Sequence, residues 1–316
     1  MNTSPQHLDT RTPQQTSDRL STASCDDGQR VRPFTSDASL PGLSFARILR
    51  SELGKLTGMR STLWLSITSV VMTGLMVTLI LYSFGWMLQE GSDFVDSMGA
   101  EQAGQELLTQ VLMAGLFFAL ILIGCIGVLS VTSEYGSGSI RSTMAAVPRR
   151  LTLVTAKATA AALTGAAIGA ALILGATLAV VLFLSAHDLS LAFGSAEVWQ
   201  IIGANLLVVV VVTLLGFGLG LILRSSAGSI VVLAALLFIG PMAMSIIAGL
   251  VTDNPVVDAI NTWQFGALID SFRDVGSSMT VPEMETLDPA QAGLGLLVWL
   301  LVALGLGTWL FRRRDV

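Results

Sequence analysis

Six long apolar stretches limit what this chain can fold into more than any other feature. They run Thr62–Phe84, Thr109–Val131, Ala158–Leu184, Val198–Leu223, Gly228–Val251 and Ala290–Phe311. Each holds roughly 22–27 residues, and an α-helix needs about 20 to cross a hydrocarbon core about 30 Å thick. The expected fold class is therefore all-α: a polytopic membrane protein with six transmembrane helices. The charge content agrees. Only 12% of the 316 residues are charged, where a soluble domain carries about a quarter.

What these stretches lack restricts the mechanism. None contains Asp, Glu, Lys, Arg or His. Proton and ion relays place such groups at membrane depth, where each costs roughly 2.5–3.5 kcal/mol or more to insert. An intramembrane hydrolase would also need an ionisable cluster there. The most polar residue within a run is Asn205, near one end of the fourth. The two cysteines, Cys25 and Cys125, lie far apart in unlike surroundings, and they imply neither a disulfide nor a metal site. The chain has no G-x-x-x-x-G-K-[ST] phosphate loop, so it does not bind ATP in that way. No cofactor is expected, and energy for uphill transport would have to come from another polypeptide.

Basic residues orient the spans. With six spans both termini share one side, together with segments 43–61, 132–157, 224–227 and 312–316. Those segments hold twelve Lys and Arg, whereas the opposite loops hold one, Arg273. The positive-inside rule then places both termini in the cytoplasm. The net charge of −5 says little about partners, because the charges are sorted by side. Residues 1–42 are rich in Ser, Thr, Gln, Asp and Pro, and are expected to form a disordered cytoplasmic tail. They have no apolar core of the kind a signal peptide carries.

Two polar segments carry the most varied chemistry. The first, LSFARILRSELGKLTGMR (43–60), puts Phe45, Ile48, Leu49, Leu53, Leu56 and Met59 in one arc, with Arg47 and Arg50 pointing away. It reads as a basic amphipathic helix lying in the inner membrane interface. Glu52 falls inside the apolar arc, so it needs a cation: Lys55 one turn on, or an arginine of the 132–157 loop. The second segment is SEYGSGSIRSTMAAVPRR (133–150). Glu134 and Tyr135 end the second span, and Gly136 and Gly138 break it. Ser137 or Ser139 can cap a short helix, Ile140–Val147, that Pro148 stops. Two readings fit this loop. It could set topology through its arginines, or it could dock a cytoplasmic partner.

Together, RSELGKLTGMRST (50–62) and TSEYGSGSIRSTMAAVPRR (132–150) resemble the permease subunit of ABC transporters of the ABC-2 type. The likeness is strongest to stand-alone actinobacterial permeases whose first cytoplasmic loop reads E-Y-x-x-G-[ST]-I-R-x-T-L-x-A-x-P-R-R. Met144 departs from that pattern, standing where Leu is commoner. The layout resembles that family over 43–316. The resemblance implies six spans per subunit, a coupling helix in the 132–157 loop, and a dimer of permeases bound to two separately encoded cytoplasmic ATPase subunits. It implies ATPase-coupling roles for Glu134, Tyr135, Ser139, Ile140, Arg141 and Thr143, and it places Glu52 and Lys55 on the interface helix. It also implies short helices that dip back into the membrane from the last outer loop, where VVDAINTWQFGALIDSF (256–272) is apolar enough to suit, although a folded outer loop fits that stretch equally well.

Three lesser features complete the reading. Gly165–Gly169 and Gly216–Gly220 have small-xxx-small spacing, suited to packing inside the bundle. Gly240-Pro241 should kink the fifth span. The expected function is an exporter permease for a hydrophobic or amphipathic compound, in contact with membrane lipid and with no role for nucleic acid. The competing readings are a channel or secondary transporter acting alone, and a membrane scaffold or immunity protein that transports nothing.

Overall fold

The computed structural model describes residues 44–89, 99–137, 150–251, 254–274 and 287–313. The tail expected at 1–42 lies outside them. Eleven α-helices occur among the described residues, with no strand. These are α1 (Phe45–Gly58), α2 (Arg60–Gln89), α3 (Ala100–Gly115), α4 (Phe117–Ser137), α5 (Arg150–Ala186), α6 (Ala196–Leu223), α7 (Ser226–Ala234), α8 (Gly240–Leu250), α9 (Pro255–Trp263), α10 (Phe265–Arg273) and α11 (Pro289–Arg313). Six segments are long and apolar enough to cross a membrane: α2, α4, α5, α6, the α7–α8 rod and α11.

Every expected run is helical, but two differ in detail. The second run bends at Leu116, between α3 and α4. The i→i+4 bonds continue across the bend, from Leu116 N–H to the Leu112 carbonyl at 3.1 Å and from Leu120 N–H to the Leu116 carbonyl at 2.9 Å. It is one kinked rod. Gly115 beside the bend lets α2 come close, since a Cβ there would stand 3.3 Å from Val77 Cγ2. The fifth run passes from α to π geometry just before Gly240-Pro241, the place where a kink is expected. The backbone solves the missing proline N–H with a π-helical turn over Ala235–Ile239, in which Gly240 N–H reaches back to the Ala235 carbonyl. One wide turn of this kind absorbs a residue that cannot continue the α pattern.

The centre of the bundle is α6, whose buried residues run from Val198 to Leu221 and lie on all its sides. It packs against α4, α5 and α11. Small residues decide how closely. On α4 a Cβ at Gly127 would overlap the Thr213 carbonyl oxygen of α6, and one at Gly216 would overlap the Gly124 carbonyl oxygen of α4. Gly165 of α5 meets the Thr213 side chain, and Gly169 meets Val209 at 2.7 Å. Both small-residue spacings are therefore spent inside this chain. Close backbone approach of this kind is how apolar helices gain dispersion energy where water gives them none.

One end of the bundle, called here the near end, holds α1, the start of α5 and the ends of α4 and α6. At the far end α9 and α10 form a helical hairpin that folds back along the spans. Gly266 packs directly on Pro241, and no Cβ would fit between them. Pro241 precedes Leu250, the end of α8, by nine residues, about 14 Å of helix at 1.5 Å per residue. The α11 side gives the same depth. Trp299 Nε1 donates to the Trp263 carbonyl at 3.3 Å, and Trp299 lies ten residues into α11, about 15 Å. The tip of the hairpin thus reaches that far down between the fifth and sixth spans.

The α4–α6 contact yields a test. Gly216→Val should lower the thermal unfolding midpoint of the detergent-purified chain, with a loss of about 1–3 kcal/mol or a failure to fold. Gly203→Val, at a glycine with open space around it, should leave the midpoint nearly unchanged.

Candidate functional site

The near end holds a closed lattice of four charges. It begins with α1, whose buried residues are Ile48, Glu52 and Leu56, one seam at i, i+4, i+8. Ile48 packs on Leu153 and Ala156 at the start of α5. That contact carries Glu52 into the bundle. Lys157 follows Ala156 on α5, and Glu134 stands in the last turn of α4. Glu52 Oε2 lies 2.6 Å from Lys157 Nζ, and Lys157 Nζ lies 2.6 Å from Glu134 Oε1. Lys55 Nζ closes the ring, 3.2 Å from Glu134 Oε1 and 2.6 Å from Glu52 Oε1.

Three of the four side chains are buried. Those of Lys157, Glu52 and Glu134 are 9%, 6% and 11% exposed, whereas that of Lys55 is 44% exposed. Apolar side chains of Val131, Leu153, Val154, Phe217, Leu221 and Phe311 wall a small cavity that Glu134 and Lys157 also line. In such surroundings charges interact strongly but are costly to desolvate. The alternating ring meets that cost, since each acid has two bases and the sum is zero. Burial works to raise the Glu52 pKa, but the hydrogen bonds and charges of Lys157 and Lys55 outweigh it and hold the carboxyl below its ordinary value. For Lys55, burial works downward, and Glu52 and Glu134 outweigh it to raise the ammonium above its ordinary value.

The residues singled out in the sequence fall into three groups. Glu52, Lys55 and Glu134 come together in the ring. Tyr135 lies beside it, its ring beneath the Arg224 guanidinium at 5.0 Å, which joins the ends of α4 and α6 by a cation–π contact. Ser139, Ile140, Arg141 and Thr143 lie outside the described residues. Glu52 has its expected partner in Lys55. Its second partner is a lysine, Lys157, rather than an arginine of the loop. Lys157 entered the sequence reading only as a topology charge. The signal it carried was its setting: a lone lysine between Ala156 and Ala158, a full two turns inside α5.

Residues 46–316 match the model of a protein family described as ABC-2 family transporter protein. The chain belongs to the ABC-2 transporter family. No curated protein matches it. An ABC-2 transporter protein is a membrane transport component and not itself a catalyst, which agrees with the six spans and with the apolar character of their interiors. The matched region takes in all eleven helices apart from the first residue of α1.

Two tests follow from the ring. Removing one member of a buried ion pair strands its partner and costs about 3–5 kcal/mol. Lys157→Met should therefore destabilise the ABC-2 chain by an amount in that range, read from thermal or denaturant unfolding. Lys157→Met combined with Glu52→Leu should cost less than Lys157→Met alone, because Lys55 and Glu134 remain as a balanced pair.

The pKa directions set a pH window. Glu52 has a folded pKa below the ordinary 4.5, so its contribution is full above that value and is lost as pH falls through the lowered one. Lys55 has a folded pKa above the ordinary 10.5, so its contribution is full below that value and is lost as pH rises through the raised one. The stability difference between wild type and Glu52→Gln should stay flat from about pH 5 to about pH 9 and shrink under stronger acid. A difference that already varies near neutrality would contradict the ring.

Proposed function

We propose that this chain is the membrane-spanning permease subunit of an ATP-driven exporter, forming the substrate path and drawing energy from a separate ATPase subunit. The observation that carries this is the charge ring, which locks α1 to the end of α4 and the start of α5. Those two helices bracket the 138–149 loop. A push on that loop from below therefore enters a braced frame and passes along α4 and α5, instead of being dissipated in a hinge. The near end faces the cytoplasm of the cell that carries the protein in its plasma membrane, in keeping with the twelve-to-one distribution of basic residues.

In this reading Ser139, Ile140, Arg141 and Thr143 form the face of a coupling helix that docks in the ATPase, with Glu134 and Tyr135 anchoring its upstream end. The helix α1 lies in the inner membrane interface. Phe45 is exposed on it, with Arg47 and Arg50 beside the lipid headgroups. The functional unit contains two permease chains, either identical or paired with a second permease. The substrate is a hydrophobic or amphipathic compound, since the apolar runs offer no ionisable group to a small ion.

The decisive measurement is transport-stimulated ATPase activity of the reconstituted complex. Arg141→Ala should leave insertion and expression intact while uncoupling hydrolysis from transport. Arginine suits interface ion pairs and hydrogen bonds, and loss of an interface residue costs about 1–2 kcal/mol. ATPase co-purification should weaken accordingly, and Arg149→Ala should matter less. Full coupling in both Arg141→Ala and Ile140→Ala would leave the loop a topology determinant and nothing more.

A further inference from the structure

The far end holds a second buried charge, and it is held quite differently. Arg273 is the one base assigned to the outer loops in the sequence, and a polar loop residue is expected to face water. Instead it is 2% exposed. Its Nε donates to Asn205 Oδ1 of α6 at 2.7 Å, and its Nη2 donates to the Leu112 carbonyl at 2.6 Å, one turn before the bend between α3 and α4. Asn205 is itself oriented by donating Nδ2 to the Ile201 carbonyl at 2.8 Å. Among the described residues no carboxylate lies within ion-pair distance of Arg273. A fully buried cation is thus hydrogen-bonded to two neutral oxygens, and the Asp270 carboxylate, one turn back on α10, acts on it only through space.

The side chain sits at the last residue of α10, so it ties the hairpin to two other elements. The opposite end of α10 is tied as well. Gly266 rests on Pro241, next to the π-helical turn of the fifth span. Beyond that turn α8 has no buried residue, and among the described residues its main contacts outside its own span are with the hairpin. Between the two ties, Phe265, Leu268 and Ile269 are buried. The rigid α10 therefore links a bend in the fifth span to a polar clamp on the second and fourth.

We propose that Arg273 is a latch: it holds the α9–α10 hairpin closed over the far end of the bundle, and its release lets the hairpin and α8 swing together about the π-helical turn to discharge substrate. The closed state gains the apolar burial of Phe265, Leu268 and Ile269. The open state returns the guanidinium to water. A buried cation hydrogen-bonded only to neutral acceptors is costly, and the through-space pull of Asp270 offsets less of that cost than a direct salt bridge would, so the two states lie closer in free energy than they would with such a bridge. That near balance suits a gate, whereas the neutral ring at the near end suits a permanent brace. The gating part of the proposal rests on the transport reading above; the latch itself does not.

The test uses the full chain in lipid nanodiscs and reads hydrogen exchange by mass spectrometry. Arg273→Gln should speed exchange over 240–250 and 265–273 by about tenfold, the equivalent of one lost charge-assisted hydrogen bond, and leave 45–58 unchanged. Asn205→Ala should reproduce it. Arg273→Lys, which keeps the charge but lacks the planar fork, should fall between. Unchanged exchange in Arg273→Gln, or equal acceleration in every helix, would overturn the latch. In the reconstituted complex Arg273→Gln should alter the rate of release or its dependence on ATP; faster exchange with unaltered transport would overturn the gating role. A wild-type complex that moves no substrate would overturn the transport reading, while the exchange data would still decide the latch.

Discussion

The bundle depends on one contact, the meeting of α4 and α6 backbone to backbone. Gly127 lies on the Thr213 carbonyl and Gly216 on the Gly124 carbonyl. Helices that span a membrane gain nothing from leaving water for one another, because lipid is already apolar. Their association rests on dispersion, which falls off steeply with distance. The absence of side chains at these positions is what lets α6 sit at the centre, and a central α6 gives α5 and α11 a surface to pack on. The two ends of the bundle then inherit fixed places for their polar groups.

Those ends solve the same problem in opposite ways. Both bury positive charge. At the near end Lys55 and Lys157 alternate with Glu52 and Glu134, so the charges cancel and each carries its own partners with it. At the far end, among the described residues, Arg273 hydrogen-bonds to oxygen atoms of an amide and a peptide group and has no carboxylate in direct ion-pair contact. The first arrangement resists being taken apart, because removal of any member leaves its two neighbours with one partner each and the site with an uncancelled charge. The second has less to lose. The two ends of this ABC-2 family chain thus differ in kind, one braced by cancelling charges and the other held by hydrogen bonds to neutral oxygens.

Much of the fold was legible in the order of residues. The spans followed from run length alone. An irregularity at Pro241 followed from a missing donor, although the form it took, a π-helical turn, depends on the neighbours. The bend at Leu116 was not legible, since no proline marks it and the helical bonds run through it. Glu52 could be seen to need a partner because it broke an apolar arc within one helix. Lys157 could not be assigned, because its two acids come from segments 105 and 23 residues away in the chain. The burial of Arg273 was not legible for a related reason. Periodicity reports faces of one helix, and the burial of Arg273 is created by three.

The π-helical turn has a consequence for chain length. A turn that holds one residue more than the α pattern displaces everything beyond it by about 100° around the helix axis. In α8 the side chains of Met242, Ile246 and Leu250 are exposed together, so the extra residue sets the compass bearing of that whole face. Deleting a single residue between Ala235 and Ile239 would keep the span long enough to cross a membrane and keep its composition. It would nevertheless rotate the far half, carrying Pro241 off Gly266. The fifth span is therefore tuned in its residue count as well as its hydrophobicity, a requirement that substitution alone would never expose.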